Sequence, residues 1–383
     1  MMKLALVYDR VTKIGGAERV LSALHELWPE APLYTPVYDF GGAQWAKQFK
    51  VIPSFLQNIP FIRKHHELFF WLMPLAFESF EFSEYDVVIS VTSEYAKSIV
   101  TKPETLHLCY CLTPTRYLWS GQTNYITNPI LRWLSKPIVK YFQIYDKIIA
   151  QRPDNIIPIS RTVQDRITKY YGRKGETIYP PVDTNLFNCH SVPRHGIYKD
   201  NYIDSRFRGN DKGEKGYYLV VSRLVKYKRV DLVVKTFNEL GWNLVIIGTG
   251  AEDKRLHRIA KPNVSFLGQL TDEAIVGYYQ KCEAVIFPTD EDFGIVPLEA
   301  QACGKPVIAY RKGGATETVI EGKTGEFFDD QTVESLKAAL LKFKPEKYKP
   351  TDCRAQAEKF SKEKFKKEFS NYIDSRLHGN DKE

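Results

Sequence analysis

Two glutamates near the middle of the second half of the chain have a spacing that suits ligand binding. In "DEDFGIVPLEAQACGKPVIAY", seven residues separate Glu291 from Glu299. The preceding run "AVIFPT" predicts a buried strand, so "DEDFG" is expected in the loop at the carboxyl edge of a parallel sheet, where α/β proteins bind ligands. Pro297 suits an early helical turn and Gly304 a helix end, which would place Glu299 inside a helix.

The start of that helix would add an anion site to the two carboxylates. Its first amides, from Phe293 and Gly294 onward, would point at the ligand that Glu291 contacts, and such amides favour anions. Carboxylates accept hydrogen bonds from vicinal hydroxyl groups. A sugar joined to a ribose through a diphosphate has both features. The alternative is that Glu291 is an ordinary loop acid and Glu299 part of a solvated helix face.

Two cations are expected at the same sheet edge. In "VVSRLVKYKRVD" a strand ends at Arg223 and a helix begins near Arg229, so Arg223 and Lys228 would fall in the connecting loop. They could bind a diphosphate and stabilise the charge that develops when its bond to a sugar breaks. The alternative is a pair of surface cations next to a helix.

Glycine pairs follow predicted strands in both halves of the chain. Gly15 and Gly16 in "KIGGAER" come after the first strand and permit close approach of the backbone to a ligand at a helix start. Gly313 and Gly314 in "RKGGATET" do the same in the second half. A glycine pair alone is weak evidence for a site.

Apolar runs rich in β-formers alternate with amphipathic helical patterns along the chain and predict two α/β domains with parallel sheets. We predict two Rossmann-like domains that face each other across a cleft, with a boundary near "YPPVDTNLF". The predicted segments are a first domain over 1–185, a linker over 186–216, a second domain over 217–354, a crossover helix over 355–370 and a disordered tail over 371–383.

One short sequence occurs twice. "NYIDSRFRGNDKGEKG" begins at Asn201 and "NYIDSRLHGNDKE" begins at Asn371. Two polar, Gly-containing copies this similar are typical of insertions into a tolerant linker and a tolerant tail, so we expect disorder or a surface loop at both. A period this long does not indicate a solenoid repeat.

The charge of the chain is concentrated in one region. Residues 116–174 contain eleven Lys and Arg against three Asp, which accounts for the whole net charge of +8. Aromatic and aliphatic residues interleave with these cations in "LRWLSKPIVKYFQIYDKIIAQR". The pattern suits a buried helix pair with solvated basic faces, docking on an anionic membrane or nucleic-acid binding, although no nucleic-acid motif accompanies it.

Composition places the 383-residue chain among globular proteins of about two domains. It contains no apolar run of the roughly 20 residues that cross a bilayer, and its start lacks the pattern of a signal peptide, so we expect a cytoplasmic protein. The six cysteines are scattered and indicate neither a zinc site nor a disulfide framework.

These motifs together resemble the retaining glycosyltransferases of family four, which have the GT-B architecture. "EDFGIVPLE", "SRL...K", "IGGAER" and "YPPVD" carry the resemblance, and "CYCLTPTRYLW" and "RPDNIIPISRTVQDRI" resemble mannosyltransferases of bacterial surface polysaccharides such as O-antigen. The resemblance implies that the first domain binds the acceptor and the second a nucleotide sugar, with no metal or other cofactor. It also implies a hexose, with mannose from GDP-mannose favoured, and a lipid-linked or polysaccharide acceptor.

The resemblance also implies roles for individual residues. Glu299 would hold the ribose and Glu291 the hydroxyls of the sugar. Arg223 and Lys228 would bind the diphosphate, with Phe293, Gly294 and Ile295 contributing amides, and Gly15 and Gly16 completing the donor site.

One position departs from the family pattern. Leu112 stands where many relatives have a histidine that helps to hold the donor sugar. Arg116 is therefore a candidate for binding an anion of the acceptor, or else a structural residue of the turn. A nucleotide-sugar-binding scaffold without activity and a nucleotide-sugar epimerase are the alternative functions, although epimerases of this architecture lack the Glu291–Glu299 motif.

Overall fold

The computed structural model of the protein describes residues 2–12, 15–121, 128–187 and 216–378. The chain divides into two compact units: Met1–Pro181 with Glu363–Glu383, and Val182–Lys362. Over the described residues each unit contains one parallel sheet of six strands. The predicted α/β class with two Rossmann-like halves is confirmed.

The sheet of the first unit has the strand order β3-β2-β1-β4-β5-β6. Its strands are β1 (Leu4–Tyr8), β2 (Leu33–Thr35), β3 (Val51–Pro53), β4 (Val87–Thr92), β5 (Leu106–Cys111) and β6 (Asn155–Pro158). Its helices are α1 (Gly16–Leu27), α2 (Ile62–His65), α3 (Met73–Glu78), α4 (Pro129–Ile149) and α5 (Arg161–Tyr171). Every residue of β1 and β4 is buried, as expected for central strands covered on both faces.

The sheet of the second unit has the order β12-β11-β10-β7-β8-β9. Its strands are β7 (Tyr217–Val221), β8 (Asn243–Ile247), β9 (Val264–Phe266), β10 (Val285–Phe287), β11 (Val307–Tyr310) and β12 (Gly325–Phe328). Its helices are α6 (Val230–Leu240), α7 (Asp253–Ile259), α8 (Asp272–Lys281), α9 (Ile295–Ala302), α10 (Ala315–Thr318), α11 (Val333–Lys342) and α12 (Pro350–Glu358). The first strand of each unit lies beside its fourth, which creates a ligand-binding switch point at the carboxyl edge of each sheet.

The C-terminal helix differs from the prediction. Instead of one helix over 355–370, α12 ends at Glu358 and a second helix, α13, runs from Lys362 to His378. The break occurs because the amide of Val182 bonds the carbonyl of Phe360, and the amide of Lys362 bonds the carbonyl of Val182. These backbone bonds are incompatible with a continuous helix.

The prediction of a disordered tail is wrong for residues 371–378, which extend α13. Phe365, Phe369, Tyr372 and Ile373 are all buried, and their spacing places them on one helix face. The Phe365 and Phe369 rings lie 5.9 and 5.7 Å from the Tyr110 ring of β5. Residues 379–383 and the first copy of the repeat, at 201–215, lie outside the described residues.

The basic apolar segment forms α4 on the first unit, and most of its apolar side chains are exposed. Asp146 and Ile149 are its buried residues, whereas the side chains of Ile130 and Trp133 are 67% and 66% exposed. The alternative of a buried helix pair is therefore wrong for this segment. No helix in the described part of the chain combines the length and the hydropathy needed to cross a membrane.

Candidate functional site at the carboxyl edge of the second sheet

The candidate site surrounds the switch point between β7 and β10. The loop after β7 carries Arg223 and Lys228, and the loop after β10 carries Glu291 and Phe293. Both loops leave the carboxyl edge of the same sheet because β7 and β10 are parallel neighbours, with Leu219 opposite Val285. The predicted placement of these residues at one edge agrees with this topology.

Lys228 and Glu291 are in direct contact across the two loops. The Nζ of Lys228 contacts the Oε1 of Glu291 as an ion pair, with both side chains partly buried. Lys228 also lies 5.4 Å from the centroid of the Tyr227 ring. The structure thus joins two residues that the sequence separates by more than sixty positions, and a cation and a carboxylate are offered side by side to a ligand.

Arg223 lies on the exposed side of the same loop. Its Nη2 donates a hydrogen bond to the hydroxyl of Tyr227 at 2.7 Å, and the carbonyl of Tyr227 accepts one from Thr289 at 3.3 Å. Arg229, by contrast, donates to Gln331 through both terminal nitrogens at 3.2 Å. Arg229 therefore holds the loop in place, whereas Arg223 is exposed and Lys228 contacts Glu291.

Glu299 lies inside α9 and is buried, with 5% of the residue exposed. Its Oε2 accepts a hydrogen bond from the hydroxyl of Tyr279 on α8 at 2.9 Å. The alternative of a solvated helix face is therefore wrong for Glu299. Burial of a carboxylate is costly unless hydrogen bonds compensate it, so this residue has a defined orientation.

Gly294 sets the entry into α9. Its φ of +86° is in the left-handed region, and a Cβ at this position would lie 2.9 Å from Cζ of Phe287. Glycine is required here for both reasons. As the N-cap residue it has no side chain to accept from the first-turn amides, which begin at Ile295, so that helix end suits an anionic ligand.

Gly313 and Gly314, in the loop that follows β11, contact the backbone of the Glu291 loop. The amide of Gly314 bonds the carbonyl of Glu291 at 2.8 Å, and residues 291 and 313 form an isolated parallel bridge. A Cβ on Gly314 would overlap the backbone of Phe293, and one on Gly313 would overlap the carbonyl of Glu291. The second glycine pair thus allows two backbones to touch, which positions Glu291.

Gly15 and Gly16 lie at the carboxyl edge of the first sheet. Both are exposed, Gly15 as the N-cap of α1 and Gly16 as its first residue. Neighbouring Lys13 and Ile14 lie outside the described residues. Glu18, in the first turn, is buried and accepts a hydrogen bond from the hydroxyl of Tyr8 at 2.9 Å.

Arg116 follows β5 in a turn that a buried cluster holds in place. The carboxylate of Asp146 accepts from Oγ1 of Thr115 at 2.9 Å and from Nε1 of Trp119 at 2.7 Å. It also accepts from the hydroxyl of Tyr171 at 2.8 Å and pairs with Nζ of Lys97 at 2.8 Å. Asp146 thereby fixes the two ends of the turn that presents Arg116.

Burial affects the charge of Lys97 in two opposing ways. Loss of solvent acts to lower the pKa of its amine, but the adjacent Asp146 carboxylate outweighs this and the net shift is upward. Lys97 therefore stays protonated within the first unit. Reasoning from sequence missed Lys97 and Asp146; the available signal was a lone acid inside an otherwise basic and apolar helix.

Another buried carboxylate, Asp9, occupies the switch point of the first sheet. It accepts from Oγ1 of Thr92 at 2.8 Å and from the amides of Glu94, Tyr95 and Ala96 at 2.9 to 3.0 Å. These bonds link the end of β1 to the loop after β4, and sequence reasoning missed them as well. Within the described ranges no group of three or more His, Cys, Asp or Glu could hold a metal ion.

Comparisons with known proteins bear on this second-unit site. Residues 202–360 match the family model of the glycosyl transferases group 1. The matched segment contains Arg223, Lys228, Glu291 and Glu299. The match supports the predicted likeness to family-four glycosyltransferases.

Curated relatives match part of the chain. An uncharacterized glycosyltransferase of Methanocaldococcus jannaschii is 28% identical over 200 residues, 51% of this chain and 51% of that protein. A GDP-mannose-dependent alpha-(1-6)-phosphatidylinositol monomannoside mannosyltransferase of Mycolicibacterium smegmatis is 29% identical over 215 residues, 50% of this chain and 53% of that protein. The chain thus matches about half the length of these relatives.

Solved structures match nearly the whole chain. Anabaena Alr3699/HepE in complex with UDP superposes with a TM-score of 0.70 at 18% identity, covering 98% of this chain and 100% of that chain. A sucrose-phosphate synthase from Thermosynechococcus elongatus gives 0.70 at 17% identity, with 99% and 100% covered. At such identities the likeness shows the fold alone, and the predicted GT-B fold class is confirmed.

Proposed function

We propose that the protein is a retaining glycosyltransferase that moves a hexose from a nucleotide sugar to an acceptor hydroxyl. The observation that carries the proposal is the Lys228–Glu291 ion pair on the loop that leads into α9, the helix that carries buried Glu299. A nucleotide sugar carries hydroxyl groups and a diphosphate close together, and this edge offers carboxylates, cations and helix amides close together.

Each residue of the site has a role in this proposal. Glu299 holds the ribose and Glu291 the hydroxyls of the transferred sugar, while the amides of Phe293, Gly294 and Ile295 also contact the sugar. Arg223 and Lys228 bind the diphosphate and stabilise the negative charge that grows on it as the bond to the sugar breaks. Gly15 and Gly16, at the start of α1, are further candidate donor-binding residues. No metal is needed, because the two cations supply the positive charge.

The reaction that we propose leaves the configuration at C1 of the sugar unchanged. The acceptor oxygen forms a bond to C1 on the face from which the diphosphate departs. The C1–oxygen bond to the diphosphate breaks with its electron pair going to the diphosphate, and the acceptor proton moves to a departing diphosphate oxygen. The protein therefore supplies orientation and charge stabilisation rather than a nucleophile.

The identities of the donor and the acceptor are proposed from the similarity of this chain to named relatives. The mycobacterial relative is named as GDP-mannose-dependent and as acting on a phosphatidylinositol mannoside, which supports GDP-mannose as donor and a lipid-linked or polysaccharide glycan as acceptor. The structural neighbour was solved with UDP and UDP-glucose, so UDP-sugars are the competing donors. A role in cell-surface glycan synthesis, such as that of lipopolysaccharide, at the inner face of the cell membrane follows from such an acceptor.

The experiment is a transfer assay with a panel of nucleotide sugars and the Glu291→Gln variant. Replacing Glu291 should lower turnover by at least about a hundredfold because its contact to the reacting sugar is lost. Glu346→Gln, an exposed acid of the same unit, should leave turnover unchanged. Near-normal turnover in Glu291→Gln would refute the assignment. Donor binding without hydrolysis or transfer to any acceptor would favour a binding protein without activity, for which Leu112 is the motivation.

A further inference from the structure

The outward face of α4 is an apolar ridge. Six side chains recur at intervals of three and four residues along the helix and are all exposed: Ile130, Leu134, Pro137, Tyr141, Ile144 and Ile148. This spacing places them in one row, and a helix of 21 residues carries that row over about 30 Å. Trp133 and Ile138, both more than half exposed, widen it.

A neighbouring turn continues the ridge. The Phe70 ring lies 5.3 Å from the Phe142 ring of α4, so the turn that includes Phe70 lies against the helix. This turn exposes further large apolar side chains, with Leu68 at 71% and Trp71 at 57%. We call this ridge and turn, residues 130–148 with 68–75, the docking face.

Lysines border the ridge along one edge. At 100° per residue, Lys136, Lys140 and Lys147 lie within about 40° of one another, next to the apolar row. All three are exposed. The acid of this helix is Asp146, which is buried on the opposite side and paired with Lys97. The outward surface of α4 is therefore apolar and cationic.

The helix is held on the first unit by its inward side. Besides the Asp146 cluster, the hydroxyl of Tyr145 donates to Oε1 of Glu78 at 3.2 Å, and Arg152, just past the helix, pairs with the same oxygen at 2.7 Å. These contacts leave the docking face outward without any rearrangement of the fold.

We propose that the docking face binds the surface of an anionic lipid bilayer. A helix with one apolar face bordered by lysines lies in the interface, where its apolar side chains enter the headgroup boundary and its cations meet anionic headgroups. Trp133 and Trp71 are of the type enriched at that depth. The proposal extends the proposed function, because it would bring the protein to a lipid-linked acceptor.

Two other occupants fit the face less well. The heptad-like spacing would suit pairing with a second copy of the chain, but two copies would bring their lysine rows together with no acid on the outward side of α4 to compensate. A nucleic acid would match the lysines and leave the apolar ridge in water. An anionic bilayer accommodates both the apolar ridge and the row of lysines.

The test is co-sedimentation of the whole protein with vesicles of phosphatidylcholine, with and without phosphatidylglycerol. We expect binding to the anionic vesicles only. Lys136→Glu combined with Lys140→Glu should weaken binding by at least about 25-fold, from roughly fivefold for each lysine. Trp133→Gln combined with Ile144→Gln should weaken it on the order of tenfold, because exposed side chains that enter the interface are lost. Matched controls in the second unit, Lys235→Glu with Lys254→Glu and Leu341→Gln, should bind as the unchanged protein does.

Each other outcome overturns the proposal. No binding to anionic vesicles, or equal binding by the docking-face variants and the controls, would refute a lipid partner. A dimer in sedimentation velocity that Trp133→Gln and Ile144→Gln disrupt, without vesicle binding, would assign the face to a second copy. A thermal-shift measurement of donor binding by the same variants separates the lipid proposal from the proposed function. Donor binding should be the same in the docking-face variants as in the unaltered protein. If the unaltered protein does not bind the donor, that result counts against the donor site and not against the lipid proposal.

Discussion

Glu291 and Glu299 differ in their surroundings, and this difference suits them to different tasks. Glu291 is partly exposed on a loop and contacts Lys228, so it can exchange that contact for a ligand. Glu299 is buried on a helix and bonded to Tyr279, so its orientation is fixed before a ligand arrives. Sequence reasoning found both residues from their spacing and placed Lys228 at the same sheet edge, but it missed Tyr279, the partner of Glu299, because that residue comes from another helix.

Tyr279 is expected to act as a positioning residue for Glu299. Tyr279→Phe removes a hydrogen bond to a buried carboxylate, a bond of about 1.5–3 kcal/mol, and should weaken donor binding by about tenfold with a smaller change in kcat. Isothermal titration with the donor measures this. Tyr217→Phe is the matched control, since the Tyr217 hydroxyl donates to the carbonyl of Tyr278 at 2.8 Å in the same unit. Equal donor affinity in the two variants would show that Tyr279 does not orient Glu299.

His107 should make the stability of the first unit depend on pH. Burial, with the nearby Arg173 and Arg152, lowers the pKa of its imidazole to about 3, against about 6.5 in the unfolded chain. The stabilising contribution is complete above pH 6.5 and is lost as the pH falls from 6.5 towards 3, because the unfolded state then binds a proton that the folded state does not.

The expected loss is about 2 kcal/mol of unfolding free energy between pH 8 and pH 5. Urea unfolding at a series of pH values measures it. His107→Gln, which retains a polar group near Ser90 (2.9 Å from Nε2 of His107), should lose less stability over the same range. Identical pH slopes in the two proteins would contradict a neutral buried imidazole.

At the scale of elements, the strands and helices were predictable from the sequence, but the contacts that hold the loops in place were not. Continuous apolar runs indicated parallel strands because both faces of such sheets are covered, and the structure has these strands. The loops at the sheet edges are held by contacts between distant residues: Asp9 with the amides after β4, Gly314 with Glu291 and Asp146 with Thr115. Such pairs cannot be predicted from local sequence, because a single Asp or Gly is compatible with many loop conformations.

Asp146 should be the residue of α4 on which the fold of the first unit depends most. Asp146→Ala leaves the buried cation of Lys97 without its carboxylate and should lower the free energy of unfolding by about 3–5 kcal/mol. Chemical denaturation measures this directly. Asp165→Ala, at an exposed acid of α5, should change stability by no more than about 0.5 kcal/mol. A loss below about 1 kcal/mol in Asp146→Ala would mean that the cluster does not hold the helix.

The end of the chain shows where sequence reasoning failed at the element scale. The repeated "NYIDSR" was interpreted as a tolerant insertion because of its polar composition. In α13, however, Tyr372 and Ile373 follow Phe365 and Phe369 at helical spacing and are buried with them. The apolar periodicity of the preceding helix continues past residue 370 and outweighs the polar composition of the repeat.

At the scale of the whole molecule, both units have the same sheet order, but the net positive charge is concentrated in one of them. Both units have their first strand beside their fourth, whereas the net charge of +8 equals that of residues 116–174 in the first unit. The fold class followed from the repeated alternation of strands and helices. The outward apolar face of α4 did not follow, since the same periodicity describes a helix that packs inward and one that binds a partner.

The second unit is proposed to bind a nucleotide sugar without a metal. The most direct measurement is a thermal-shift panel of GDP-mannose, UDP-glucose, UDP-N-acetylglucosamine, GDP and UDP, each with magnesium and with EDTA, since a ligand that binds only the folded state raises apparent stability. We expect nucleotides of one base to raise Tm equally in both conditions, with GDP and GDP-mannose favoured. No shift with any of them in a folded protein, or a shift that EDTA abolishes, would contradict the account.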